Sequence, residues 1–181
     1  METTELEKLK YPTGKYIAPE KIKKSEVKRW IKEIDKLPKR LKDTVKNLSE
    51  EQLDTPYRDG GWTVRQVIHH LADSHMNSFI RFRLALTEDN PTIKPYEQSK
   101  WAELQDSKTA PVKYSLDLLR NLHKRWVMML KTIDKEQLKR SVHHPEHNAD
   151  WKLDWMIGMY AWHCNHHLAH IENLKTKMNW K

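Results

Sequence analysis

Apolar residues recur at three- and four-residue steps through most of this chain, the spacing of helices that bury one face. Val27, Trp30, Ile31, Ile34, Leu37, Leu41 and Val45 form the first stripe, with Ser25 as the expected N-cap. Pro38 falls inside that run and predicts a kink or break, because proline has no N–H to bond the preceding turn. Ser49-Glu50-Glu51-Gln52 has the form of a capping box opening a short helical turn. Residues 54–62, rich in Pro, Asp and Gly, read as a loop. Thr63-Val64-Arg65-Gln66 is a second capping box, and the helix it opens runs to about Thr87 with Val64, Val67, Ile68, Leu71, Phe79, Phe82 and Leu86 inward.

Residues 88–111 carry Pro91, Pro95 and Pro111 and read as a long connection, with Trp101 and Leu104 on a short helix. Connections of that length are usually functional or cross the bundle. Leu116, Leu119, Leu122, Trp126, Leu130 and Ile133 then define a third helix. Residues 143–150 read as a polar loop, and a last helix is expected from about Leu153 to Met178. Tyr11-Pro12 and Ala18-Pro19 mark residues 1–24 as an irregular arm. The pattern predicts an all-α fold: one four-helix-bundle domain over residues 1–181, with a long connection between helices two and three.

Composition narrows the function classes. One cysteine, Cys164, allows no internal disulfide and fits a reducing compartment. The N-terminal residues are charged, with no apolar signal region, and no apolar run is long enough to span a bilayer, so a cytoplasmic protein is expected. The net charge of +8 raises nucleic acid as a partner, but the lysines alternate with acids along helical faces and no recognition motif is present. Four glycines among 181 residues argue against an all-β fold. The 11 histidines and 8 tryptophans are the unusual counts, and the placement of the histidines decides the reading.

At about 100° per residue, His163, His167 and His170 fall in the middle of the apolar stripe of the last helix, with His166 near its edge. A single core histidine is ordinarily a hydrogen-bonded one. Four in eight residues on an apolar stripe are better explained by a ligand, since buried imidazole nitrogens need partners. His163/His167 and His166/His170 each stand one turn apart, close enough to chelate one ion. A third ligand is expected from a facing helix, where spacing nominates His70 or His75 and turns His69 away. His143, His144 and His147 fall in the polar loop and are expected to be solvated. Trp62, Trp155 and Trp162 read as packing residues.

The run DTPYRDGGWTVRQVIHHLADSHMNS, followed far downstream by WHCNHHLAHI, resembles the DinB/YfiT family of metal-dependent enzymes over nearly the whole chain. That resemblance implies a four-helix bundle with one metal-binding histidine on the second helix and an H-x-x-x-H pair on the last. In this sequence those positions are His70, His163 and His167. The position of His170 is a glutamine in many family members, which leaves His170 as an outer partner or substitute ligand. The resemblance also implies a homodimer acting on a small-molecule substrate.

Three imidazoles without cysteine suit one divalent transition metal per chain, zinc or nickel first, with an open coordination position of the kind catalytic sites keep. The implied chemistry is hydrolysis, with water activated at the metal. Two alternatives are an S-transferase joining a low-molecular-weight thiol such as bacillithiol to electrophiles, and a non-catalytic metal-binding stress protein. No general base is evident. Asp73 lies one turn beyond His70 but projects away and reads as a surface acid, whereas Asn77 and Arg81 share His70's side and could line a substrate mouth.

Overall fold

The computed structural model describes residues 4–181. In chain order it contains α1 (Glu5–Lys10), α2 (Lys24–Val45), α3 (Glu50–Leu53), α4 (Val64–Thr87), α5 (Gln98–Ala102), α6 (Gln105–Thr109) and α7 (Val112–Thr132). A 3₁₀ turn (Gln137–Lys139), strands β1 (Ser141–His144) and β2 (Ala149–Lys152), and α8 (Leu153–Lys177) complete it. The four long helices, α2, α4, α7 and α8, are the bundle that the periodicity predicts.

All seven apolar residues expected to face inward on α2 are buried. The helix begins two residues earlier than expected, with Lys23 in place of Ser25 at its N-cap; the Glu26 carboxylate accepts the Lys23 N–H at 2.8 Å. Pro38 does not break it, and α2 runs unbroken to Val45. α4 opens with the full capping box, Thr63 Oγ1 accepting from Gln66 N–H and Gln66 Oε1 accepting from Thr63 N–H.

α2 packs against α7 and α8, and α4 packs against the same two helices. The consecutive helices α2 and α4 therefore stand across the bundle from one another. The long connection 88–111 does not cross the bundle, because α4 and α7 are neighbours. It folds α5 and α6 back onto α4 instead.

Two expectations are corrected. The arm is not wholly irregular: Thr4 caps α1, whose first turn is acidic and last turn basic, as the helix dipole favours. Residues 143–150 are not a simple loop but the centre of an antiparallel hairpin pairing Ser141 with Lys152 and His144 with Ala149. The reason is a short period-two pattern: Val142 and His144 point inward, and Asn148 takes the left-handed conformation of the turn at φ 44°. The hairpin is tied to the connection by Ile93 N–H donating to His143 C=O and His143 N–H donating to Pro91 C=O, both at 3.0 Å.

Candidate metal centre

α4 and α8 bring together three histidines up to 97 residues apart in sequence. One ring nitrogen from each of His70, His163 and His167 lies within 4.8 Å of those of the other two. The ring centroids are 5.4 Å apart for His70 and His163, 4.7 Å for His70 and His167, and 4.4 Å for His163 and His167. The i, i+4 spacing on α8 supplies the pair, and the facing turn of α4 supplies the third ring.

The loop between α3 and α4 closes over them. Tyr57 N–H donates to Trp62 C=O at 3.1 Å, and Gly60 turns the chain at φ 63°, a conformation that side chains disfavour. Trp62 is thereby laid 4.7 Å from His70, and Tyr57 stacks on His170 at 4.0 Å. Trp62 is thus a wall of the cluster, whereas Trp162 binds the N-terminal arm, its Nε1–H donating to Gly14 C=O.

His163 does not stand alone. Its Nδ1 is 3.1 Å from His75 Nε2; His75 Nδ1 is 2.8 Å from His123 Nε2; and His123 Nδ1 is 2.7 Å from the Ile34 carbonyl. A carbonyl oxygen only accepts, so His123 carries its proton on Nδ1 and offers the Nε2 lone pair. His75 then donates from Nδ1, and His163 donates from Nδ1 in turn. The chain of three neutral rings leaves the lone pair of His163 on Nε2. Burial keeps all three rings neutral: it drives His123 down to about 4 and His75 and His163 well below the ordinary histidine range.

The Ile34 carbonyl is available because of Pro38. An α-helical carbonyl bonds the N–H four residues on, and at residue 38 there is none. Each of the four long helices contributes one member of this line: Ile34 from α2, His123 from α7, His75 from α4 and His163 from α8. His123 escaped the sequence reading, although it sits four residues after Leu119 and three before Trp126. The buried face of α7 is Ser115, Leu119, His123, Trp126, Val127 and Leu130, rotated from the expected stripe, with Leu116 and Leu122 half-buried at its flanks.

The donor set suits a divalent transition metal. His70 Nε2 and His167 Nδ1 are buried without a hydrogen-bond partner, a state that costs about 1–3 kcal/mol per group unless something satisfies it. Burial lowers His70 to about 3 and His167 well below the ordinary range, so both are neutral imidazoles with lone pairs to give. A second cluster, His166, His167 and His170, shares His167 and also has one nitrogen per ring within 4.8 Å. There His166 Nε2 and His170 Nε2 lie 3.2 Å apart, so His170 is paired with His166.

The remaining candidates divide clearly. His69 faces the opposite way: its Nε2–H donates to Ala110 C=O, and its Nδ1 accepts from Ser115. Asp73 is half-buried, pushed up to about 6 by burial and then by Asp106, and bonds no histidine. Asn77 donates to the Asp73 carbonyl. His143 pairs with Asp150 at 2.9 Å and His147 is exposed, but His144 is buried, contrary to expectation, because it lies on the inward face of β1 against Trp151. Arg81 lines a cleft of about 450 Å³ that opens onto His163. A larger cleft, about 530 Å³ between the N-terminal arm, α2 and α8, has no histidine in its walls.

Comparison with known proteins agrees with this architecture. Residues 33–171 match the family model described as the DinB superfamily. A protein of Bacillus cereus (strain 03BB102), provisionally named a metal-dependent hydrolase, is 54% identical over 172 residues, covering 95% of this chain and 98% of the relative. YfiT of Bacillus subtilis (strain 168), named in the same provisional way, is 51% identical over 95% of this chain and 97% of its own. The solved structure of YfiT, described as a probable metal-dependent hydrolase with an unusual four-helix bundle topology, superposes with a TM-score of 0.94 at 50% identity. It covers 96% of this chain and 99% of that one.

Proposed function

The chain belongs to the DinB superfamily, and on that premise we propose that it is a metal-dependent hydrolase that holds one divalent ion through His70, His163 and His167. The observation carrying this reading is that rings from two helices converge on one place while His70 and His167 each keep a buried nitrogen without a partner. Zinc or nickel bound there supplies Lewis acidity and brings the pKa of a water towards neutrality.

The protein's own part is to present three lone pairs in one place and keep them there. The His163–His75–His123 line holds a proton on His163 Nδ1, which leaves its lone pair on Nε2 for an ion. Trp62 covers His70 and excludes water from that side of the ring. The cleft beside His163 leaves one approach open, where a substrate of modest size can enter.

The test is elemental analysis of tag-free protein beside His163→Ala and His70→Ala. About one zinc or nickel ion per chain is expected in the parent and none in either variant, with helical content kept. A variant that retained full metal would remove its residue from the site. The loaded parent is then assayed on ester and amide panels, and separately on an alkyl halide with a thiol. Turnover only in the thiol assay would replace hydrolysis with S-transfer, and metal binding without either activity would leave a binding protein.

A further inference from the structure

The cleft beside His163 runs along α4 and is walled by Ser74, Tyr96, His144 and Arg81. Arg81 has no role in the fold comparable to its burial. The residue is 7% exposed, and among the described residues its hydrogen bonding is one Nη2–H donated to Lys94 C=O at 3.5 Å, with no carboxylate in ion-pair range. Arg65, on the same helix and 3% exposed, shows what a satisfied guanidinium looks like here: it bonds Asp54, Glu50 and the Ala110 carbonyl. A guanidinium has five N–H donors and a permanent charge, and with one long hydrogen bond most of those donors are left to water in the cleft or to a bound anion.

The buried groups beside Arg81 can donate as well. His144 is 5% exposed and its Nδ1 has no partner. The Tyr96 hydroxyl is pushed up to about 12 by burial and then by Tyr160, so it keeps its proton at neutral pH. The carboxylates at the rim face water: Glu97 is exposed and paired with Lys100 at 2.8 Å, and Glu146 is exposed in the hairpin turn. Ser74 and Arg81 are seven residues apart on one face of α4, roughly 10 Å along its axis. Helical side chains lean towards the N-terminus, so the guanidinium reaches back towards His70 and His163.

We infer that Arg81, with His144 and Tyr96, is a subsite for an anionic oxygen group, a carboxylate or a phosphate, carried by the substrate on the side away from its reacting bond. The substrates are therefore anionic, and the anion sits in the same cleft that opens onto His163. This assignment rests on the hydrolase reading for the chemistry but not for the binding.

The experiment follows the Arg81 Nε–Hε resonance of the zinc-loaded full chain, assigned by its loss in Arg81→Lys, during titration with acetate and separately with inorganic phosphate. A saturable shift is expected, and the probe that binds more tightly assigns carboxylate or phosphate. By isothermal titration calorimetry, which needs no Arg81 signal, Arg81→Gln and Arg81→Lys should each weaken that probe roughly ten-fold, since neither restores the bidentate fork. In parallel, kcat/KM is compared for an ester bearing a terminal carboxylate, one bearing a phosphate, and their neutral isostere. The anionic member should be favoured about ten-fold in the parent, with the ratio near one in Arg81→Gln. An unmoved Arg81 resonance with no preference among hydrolysed esters would overturn the subsite and leave the hydrolase reading standing. A saturable Arg81 shift with no ester turned over would do the reverse. Should Arg81→Gln fail to fold, the parent titration and Arg81→Lys decide.

Discussion

α2 and α4 are nearly the same length, 22 and 24 residues, and face the same two neighbours, yet they bury different chemistry. Every buried side chain of α2 is apolar. α4 buries Arg65, Gln66, His69, His70, Ser74, His75, Ser78 and Arg81 alongside its apolar residues. The first helix is a packing element, and its sequence is a clean amphipathic stripe. The second is a packing element and the wall of a site: His70, Ser74, His75 and Arg81 serve the imidazole cluster and the cleft, while Arg65, Gln66 and His69 hold α3, α7 and the 88–111 connection against the helix. The side chains of α2 serve packing and only its Ile34 carbonyl reaches the imidazole line, so packing and the site are separable by side-chain mutation on this helix.

The largest effect expected from breaking that separation is Leu37→Ala on α2. Leu37 is fully buried, and its truncation should cost about 2–5 kcal/mol in urea unfolding while metal content per chain stays at the parent value. Loss of metal from the folded variant would show that the two roles are not divided as described.

A smaller effect is expected at His75, which touches no substrate. His75→Phe keeps a ring in the core but removes the acceptor for His163 Nδ1–H, and should weaken zinc binding roughly 10–100-fold in chelator competition. His75→Gln, whose amide can donate one way and accept the other, should recover part of that loss. Equal affinity in all three proteins would reduce the line to packing.

The smallest effect is in pH dependence. His123 stays neutral in the fold down to about 4, whereas the unfolded chain takes up its proton near 6.5. Below 6.5 the unfolded state binds the extra proton, so this group's contribution favours folding above that value and is lost progressively as pH falls towards 4. His123→Leu should flatten the fall in urea midpoint across that window relative to the parent. An unchanged slope would mean that His123 is not held neutral.

How much of this was legible in the sequence follows the same division. Periodicity located all four long helices and the inward face of α2, because a one-purpose helix writes its burial in apolar letters. It misplaced the face of α7, where Leu116 and Leu122 drew the stripe towards themselves and a buried imidazole at 123 counted as polar. The i, i+4 histidines of α8 pointed to a ligand cluster, but His70 and His75 share the inward side of α4, and only the fold gives them different neighbours. His70 stands against His167 and Trp62; His75 stands behind His163. The hairpin was missed because two four-residue strands hold too few alternations to register. With it went the burial of His144.

Pro38 couples positions that never meet. In an ordinary helix, replacing an interior proline restores an N–H bond and is a gain. Here the restored amide would compete with His123 for the Ile34 carbonyl. Drift at residue 38 is therefore constrained by what stands at residue 123 on another helix, and through it by residues 75 and 163. Designed variants of this bundle would have to exchange these positions together, or pass through intermediates in which His163 is loosened.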